Sequence, residues 1–231
     1  MTQDFVRLGS GIPGLDEMIE GGFPFPSVLL LAGGTGTGKT TFCLQFLSEG
    51  AKIGEKGLFF TALSEPAQWM LRFVSRYDFI DRNTFGKDIV YIDLAQFLSP
   101  KDFSAERQQD LLDFIESKIM EVMPQRIVID PITVVGQFFS INYRQFLYEL
   151  SGRLKNWQSV TILTGESHPN EAYPLEVAYT ADGVMILSFL EQEDGRRRYM
   201  EVLKMRGTNH LTGKHAMDFT QAGLSVQAGL K

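Results

Sequence analysis

Apolar runs and amphipathic segments alternate along the first two-thirds of the chain, and this alternation predicts the fold. Short apolar runs are typical of buried strands, and segments with apolar residues at helical spacing are typical of helices. The predicted strands span residues 27–34, 57–63, 88–94, 126–130 and 159–165, and the predicted helices span residues 40–54, 66–79, 104–123 and 142–157. Strands and helices that alternate in this way predict a mostly parallel central sheet with helices on both faces.

The last third of the chain has a different pattern, in which strand-like runs follow one another without a helix between them. Residues 182–207 contain two such runs about a Glu-Asp-Gly turn, and residues 214–226 form a second pair. Hairpin patterns of this kind predict antiparallel strands that extend one edge of the sheet. No repeat, low-complexity tract or linker divides the 231 residues. The sequence therefore predicts one α/β domain over residues 1–231 with a C-terminal antiparallel hairpin extension.

The composition argues against several classes of partner. The 22 Lys and Arg residues are outnumbered by 28 Asp and Glu, a net charge of -6, which disfavours non-specific binding to nucleic acid or to a membrane surface. The single Cys43 cannot form an internal disulfide, which is typical of a reducing compartment. The N-terminus lacks an apolar signal region, and the longest apolar run, residues 28–32, is too short to span a membrane. We therefore predict a cytoplasmic protein that does not enter a membrane.

A glycine-rich segment between the first predicted strand and the first predicted helix indicates a phosphate-binding loop. The sequence GGTGTGKT fits the pattern G-x-x-x-x-G-K-[ST]. Glycines let the backbone wrap around a phosphate, and the N-terminus of the following helix adds partial positive charge. Lys39 is expected to contact the β- and γ-phosphates of ATP, and Thr40 to bind Mg²⁺. The predicted nucleotide-binding residues of this loop are Gly33, Gly34, Thr35, Gly36, Thr37, Gly38, Lys39, Thr40 and Thr41.

Two acidic residues at the ends of other predicted strands are candidates for the same site. Asp130 ends the run RIVID, a Walker-B-type arrangement, and is expected to hold Mg²⁺ through water, with Thr40 as the other metal ligand. Glu65 is the only acid in the segment after the second strand, which we expect beside the P-loop strand. Hydrolysis needs a group that orients water, and Glu65 is the candidate for that role. The alternative is a carboxylate that only stabilises the N-terminus of the next helix.

Two cations near the C-terminus suggest an anion-binding element. Lys204 and Arg206 are two positions apart in the sequence VLKMRGTNH, so on a strand they lie on the same face. Gly207 then permits a turn. One interpretation is a pair of side chains that binds an anion. The other is a charged edge strand, because Lys and Arg deter edge-to-edge pairing.

Together these segments resemble the KaiC-like branch of the RecA-fold ATPases. Residues 11–47 are similar to the start of that family, including the sequence GLDEMIEGG before the P-loop. Residues 126–133, RIVIDPIT, are similar to its Walker B motif, and residues 181–210 are similar to its C-terminal hairpin. The resemblance covers nearly the whole chain. The two-domain clock proteins of the family carry two such units, and this chain, with one P-loop, resembles one of them.

The resemblance implies a RecA-type sheet, binding of ATP and Mg²⁺, and a homo-oligomeric ring, usually a hexamer, with nucleotide at the subunit interfaces. It also implies that Lys204 and Arg206 reach the triphosphate of the neighbouring subunit as catalytic fingers, which stabilise developing phosphate charge. Thr208 and His210 would then lie near the ribose or base. One departure stands out: the clock proteins typically carry adjacent glutamates where this chain has Ser64 and Glu65. Hydrolysis is therefore expected to be slow or absent, while binding is retained.

Three functions follow from these observations. The first is an Mg-ATP-dependent ATPase or ATP switch in a ring, which signals to an unidentified protein partner, with Lys39, Glu65, Lys204 and Arg206 as the catalytic set. The second is a DNA-dependent recombination ATPase or accessory factor. The segments 131–142 and 164–179, which would bind DNA in that case, contain no Lys or Arg, and this argues against nucleic acid. The third is an ATP-bound scaffold without hydrolysis.

Overall fold

A nine-stranded sheet forms the centre of the protein, as seen in a computed structural model that describes residues 6–98, 105–138, 142–167, 171–192 and 195–229. A separate two-stranded sheet pairs β1 with β2. The strands are β1 (Arg7–Leu8), β2 (Phe23–Pro24), β3 (Ser27–Gly33), β4 (Gly57–Thr61), β5 (Ile89–Asp93), β6 (Arg126–Asp130), β7 (Val160–Glu166), β8 (Gly183–Gln192), β9 (Gly195–Met205), β10 (Lys214–Thr220) and β11 (Gly223–Val226).

Helices cover both faces of the large sheet, as the alternating pattern predicts. They are α1 (Leu15–Met18), α2 (Lys39–Lys52), α3 (Ala67–Val74), α4 (Ala105–Val122), α5 (Ile132–Gln137), α6 (Tyr143–Lys155) and α7 (Leu175–Thr180). The first three contribute to the apolar core on one face, and the last four contribute to the core on the other. None of the described helices is both long and apolar enough to cross a membrane.

The order of the strands is β11-β10-β9-β8-β3-β7-β6-β4-β5. Strands β8, β3, β7, β6, β4 and β5 run parallel, and β9, β10 and β11 extend the β8 edge with antiparallel pairings. The predicted fold class is therefore confirmed. One expectation is wrong: β4 does not lie beside the P-loop strand β3, because β7 and β6 lie between them. The chain crosses over α4 before it returns to the centre, and crossover connections leave strand order free of sequence order.

Several boundaries differ from the predicted ones. The helix predicted over 66–79 ends at Val74, because Tyr77 and Phe79 turn back and stack on one another at 5.3 Å between ring centroids. Helices α5 and α7 lie in segments predicted as loops, and each is only six residues long. The predicted helix cap at residue 104 lies outside the described residues.

The strand that carries Asp130 is anchored at its other end by a buried arginine. Arg126 is 1% exposed, donates to the backbone oxygens of Gly9 and Phe46 at 2.9 and 2.8 Å, and pairs with Glu55 at 2.6 Å. Its guanidinium also lies 4.7 Å from the Phe46 ring centroid. Because β6, α2 and the N-terminal segment all meet at this side chain, Arg126 fixes the strand relative to the helix that follows the P-loop.

We expect Arg126→Ala to lower the free energy of unfolding by about 3–5 kcal/mol, since it leaves a carboxylate and two carbonyls without their buried partner. Arg153 is a matched control: it pairs with Asp113 and Glu116 on the surface, so Arg153→Ala should cost about 0–1 kcal/mol. Urea denaturation of both variants measures the difference. An equal decrease in the free energy of unfolding in both variants would show that Arg126 stabilises the protein no more than a surface ion pair does.

Candidate functional site

The P-loop connects the end of β3 to the start of α2 and has two glycines with left-handed backbone conformations. Gly36 and Gly38 have φ of 78° and 112°, values that side chains rarely adopt. A Cβ added at Gly34 or Gly36 would meet no atom within 4 Å, whereas one at Gly33 would lie 2.5 Å from the backbone oxygen of Leu187. The middle of the loop therefore borders open space of the kind that a phosphate fills, and its base is closely packed.

Lys39 lies inside this loop and is buried. Its Nζ donates to the backbone oxygens of Gly33 and Gly34 at 2.8 and 3.0 Å. Burial lowers the pKa of the Lys39 ammonium, and the nearby carboxylates of Glu166 and Asp130 oppose that shift. The ammonium thus bonds to the loop's own carbonyls, which a phosphate can replace as acceptors.

Thr40 and Asp130, the two residues predicted to bind Mg²⁺, contact one another in the structure. The Thr40 hydroxyl donates to Asp130 Oδ2 at 2.8 Å, and the Thr164 hydroxyl donates to Asp130 Oδ1. The described residues contain no group of three or more His, Cys, Asp or Glu arranged to hold a metal ion, so a cation here would take its remaining ligands from phosphate and water. That donor set of few protein oxygens fits Mg²⁺.

Asp130 is nearly fully buried, and this determines its electrostatics. Desolvation raises the pKa of the Asp130 carboxyl, while the hydrogen bonds from Thr164 and Thr40 and the charge of Lys39 oppose the rise. A buried carboxylate with only hydroxyl donors on its oxygens is costly, and a cation beside it would remove that cost. The sequence analysis did not assign Thr164 to this site.

Glu166 is a second acid that the sequence analysis did not assign to the site. It ends β7, the strand directly beside β3, and it pairs in register with Gly33. The signal was present in the sequence: Thr164 and Glu166 continue the alternate positions of Ile162 with polar residues.

Glu65 is less closely connected to the P-loop. It follows β4, two strands beyond β7 in the sheet, after Ser64, whose φ of 54° turns the chain. Its backbone oxygen accepts a hydrogen bond from the Tyr91 hydroxyl at 2.9 Å, and its carboxylate makes no hydrogen bond to another described residue. Its catalytic role stays a prediction.

Lys204 and Arg206, called the finger pair below, lie away from the P-loop of their own chain: Lys204 contacts α7 on the face of the sheet opposite α2, and Arg206 lies near the start of β3. Arg206 pairs with Asp182 at 3.0 Å, and Asp182 in turn accepts a hydrogen bond from the backbone N–H of Val28. Val28 and Gly33 are five residues apart on β3, which is about 16 Å along a strand. The finger pair therefore belongs to a different surface from the P-loop.

The finger pair is partly engaged within its own chain. Lys204 Nζ donates to the backbone oxygen of Ala178 at 2.9 Å, and its pKa is lowered by burial and by the charge of Arg206. Arg206 is largely exposed. The Thr208 hydroxyl accepts a hydrogen bond from Arg7 at 3.0 Å, and His210 contacts the backbone oxygen of Leu211. All four residues thus lie on one segment after β8, apart from Lys39 and Asp130.

An open cleft adjoins the start of α2. The Phe219 ring lies against Gly38, where an added Cβ would be 3.2 Å from it, and Tyr77 packs edge-on against the same ring. The cleft is lined by Phe73, Ser75, Arg76, Tyr77, Asp78, Phe219, Thr220 and Gln221. No sequence motif marked these residues, which come from the end of α3 and the β10–β11 turn.

Comparison with known proteins agrees with this geometry. A family model described as "ATPase: KaiC" matches residues 8–231. The chain is 31% identical over 234 residues to the circadian clock oscillator protein KaiC of Parathermosynechococcus lividus, a match that covers 94% of this chain and 41% of that protein. The chain thus spans less than half the length of the clock proteins that it matches.

Shorter relatives are matched along nearly their whole length. UPF0273 protein PH0284 of Pyrococcus horikoshii is 30% identical over 233 residues, which are 95% of this chain and 93% of that protein. The crystal structure of KaiC-like protein PH0186 from Pyrococcus horikoshii OT3 superimposes with a TM-score of 0.82 at 32% identity, covering 96% of this chain and 99% of that one. The fold is therefore the KaiC-like RecA fold.

We expect Asp130→Asn to raise the free energy of unfolding of the nucleotide-free protein at pH 7. The folded-state pKa of Asp130 lies above its ordinary value of 3.8, so the charge destabilises the fold above that folded-state pKa. The cost falls as pH falls through it and is absent below the ordinary value. Asparagine has no charge and can keep both threonine contacts if one threonine hydroxyl accepts from its amide N–H instead of donating.

Urea denaturation at a series of pH values from pH 4 upward measures this gain, which should grow above the ordinary carboxyl pKa and become constant once the folded-state pKa is passed. Asp110→Asn is the control, because Asp110 is exposed on α4 and should give no gain. A loss of stability at pH 7 in Asp130→Asn would show that the charge is already compensated in the folded protein.

Proposed function

Because the chain belongs to the KaiC ATPase family, we propose that it binds and hydrolyses Mg-ATP as a homo-oligomeric ring and uses the nucleotide state to signal to a protein partner. One RecA-like domain over residues 1–231 carries this function in the proposal. The observation that carries it is the meeting of Lys39, Thr40 and Asp130 at the mouth of the P-loop, with Thr40 2.8 Å from Asp130.

In this proposal different residues bind the phosphates, the Mg²⁺ ion, and the base and ribose of ATP. The loop backbone from Gly34 to Gly38 and the Lys39 ammonium would hold the β- and γ-phosphates. Thr40 and Asp130 would hold Mg²⁺, which supplies positive charge to the phosphate oxygens. The cleft beside Phe219 opens from the same helix terminus, and its aromatic and polar lining suits a base and ribose.

The position of the finger pair supports an assembly with nucleotide between subunits. Lys204 and Arg206 cannot approach the P-loop of their own chain, because Arg206 lies beside the start of β3. A cation pair that binds a triphosphate must then serve a neighbouring subunit. A head-to-tail contact of this kind closes into a ring when the rotation between subunits divides a full turn, and gives an open filament otherwise. A hexamer is the size proposed, by analogy with the family.

Two alternatives differ in what they require. DNA-dependent activity requires cations on the segments after β6 and β7, and these contain no Lys or Arg. The first of them forms α5 and places Phe138 against the core, so this ring is not free to stack on bases. An ATP-bound scaffold without hydrolysis is favoured by the position of Glu65, which follows the third strand from the P-loop strand β3. Steady-state ATPase rates with and without single-stranded DNA distinguish the three functions.

Lys39→Ala should weaken ATP binding strongly and leave the fold intact, since it removes the cation that faces the phosphates. Titration calorimetry with Mg-ATP measures the affinity, and circular dichroism checks the fold. Lys52→Ala, at the exposed other end of α2, is the control and should bind ATP as the parent does. Parental affinity in Lys39→Ala would contradict the P-loop assignment.

Alanine at both Lys204 and Arg206 should suppress hydrolysis while each subunit still folds, because an arginine finger contributes about 10³–10⁵ in rate. Lys214→Ala, which removes an exposed cation from β10, should leave the rate unchanged. Comparison of turnover at saturating ATP tests both statements.

Action of the finger pair on a neighbouring subunit can be tested by mixing two inactive variants. A Lys39→Ala subunit has an inactive P-loop and an intact finger pair, and the double finger variant has an intact P-loop and no finger pair. In an equal, exchanged mixture about a quarter of the interfaces pair a good pocket with a good finger pair. Activity above the sum of the two parents is expected. If mass spectrometry confirms exchange and no activity returns, fingers acting between subunits are excluded, unless hydrolysis requires every interface to be intact.

A further inference from the structure

Hydrolysis in the proposed function needs a carboxylate close to the γ-phosphate, and the strand order determines which acids are near it. Carboxyl ends of adjacent parallel strands lie side by side along one edge of a sheet. Counted from the P-loop strand β3, the first neighbour β7 ends in Glu166 and the second neighbour β6 ends in Asp130. Glu65 follows the third neighbour, four residues after its end. Glu166 is thus the nearest strand-end acid to the loop.

The side chain of Glu166 points to the P-loop face of the sheet. Successive residues of a strand point to opposite faces, and Val160 and Ile162 belong to the core that also contains the buried residues of α2. Thr164, the next residue in this series, donates to Asp130. Glu166 continues the same series and pairs in register with Gly33.

The Glu166 carboxylate lies near the Lys39 ammonium, where its charge opposes the lowering of the Lys39 pKa by burial. Two contacts hold the backbone beside it: the Glu166 N–H donates to the Thr133 hydroxyl at 3.2 Å, and the Ser167 N–H donates to the Gly33 oxygen at 3.3 Å. Glu166 is half-buried, so its backbone is held beside the P-loop while the residue remains partly open to water.

We propose that Glu166 is the catalytic residue that orients and deprotonates the attacking water. This inference rests on the proposed ATPase function. A lone pair of the water oxygen forms the new bond to the γ-phosphorus, and the bond to the bridging oxygen breaks with its electron pair leaving on ADP. The water proton passes to the Glu166 carboxylate and then to solvent. A general base of this kind contributes about 10²–10⁴ in rate.

Glu166→Gln should lower the single-turnover hydrolysis rate by about 10²–10⁴. The same variant should bind Mg-ATP as tightly as the parent or more tightly, and ADP with unchanged affinity, because only the γ-phosphate is repelled by the carboxylate. Calorimetry with each nucleotide gives this readout without turnover. A mere counter-charge for Lys39 would change the affinity for both nucleotides and leave the hydrolysis rate close to the parent's.

Glu171→Gln is the matched control, since Glu171 is an exposed acid on the segment after β7 and should change neither rate nor affinity. Glu65→Gln tests the competing assignment: if it abolishes hydrolysis and Glu166→Gln does not, the inference is wrong. Parental turnover in Glu166→Gln overturns the inference and leaves the ATPase function standing. If the parent chain binds no ATP, or binds it without any hydrolysis, the proposed function fails and the inference fails with it.

Discussion

A buried carboxylate at the end of β6 is the constraint on which the site depends. Asp130 has hydroxyl donors from Thr40 on α2 and Thr164 on β7, and so it ties the P-loop helix to two strands of the sheet. Its charge is unfavourable in the interior, and hydroxyls compensate it only in part. The stable partner for such a group is a cation. The fold therefore carries an energetic cost at this position that binding of the proposed Mg-ATP complex would remove, and this would link the stability of the site to its occupancy.

The strand order separates two sets of groups that the proposed reaction needs together. The parallel strands place Lys39, Asp130 and Glu166 at their carboxyl ends. Strand β9 runs antiparallel to β8, so the segment after β9 emerges at the amino ends of the parallel strands, where Asp182 pairs with Arg206. No small movement of the hairpin brings the two ends together, because the main-chain pairing of β8 and β9 fixes their relative position. In the proposed ring the missing cations come from the adjacent subunit, and the topology of one chain then explains why the unit assembles.

Much of this could be predicted from the sequence, and the rest depends on long-range order. The P-loop, Asp130 and the antiparallel extension follow from local signals: glycine spacing, a strand-end acid and hairpin turns. Strand order does not, because it depends on how crossovers pack, and it decides that β7 rather than β4 lies beside β3. The Phe219 cleft joins α3 to the β10–β11 turn, which are distant in sequence and share no motif. In the sequence Glu166 is only a polar residue at the end of an alternating strand. Its position near the P-loop becomes evident only when β7 is found beside β3.

The charges of the separated sets suggest why assembly and nucleotide binding depend on each other in the proposed ring. Within one subunit Lys39 faces two carboxylates, Asp130 and Glu166, so these three groups carry a net negative charge before a triphosphate would add more. Coulomb repulsion in such a half-buried site is large enough to limit binding unless cations are added. Mg²⁺ supplies two charges, and the finger pair of a neighbour supplies two more. Lys204 and Arg206 in turn repel one another, and a phosphate between subunits relieves both conflicts at once. Each subunit thus carries one half of an electrostatic pair whose completion requires both the nucleotide and a second copy of the chain.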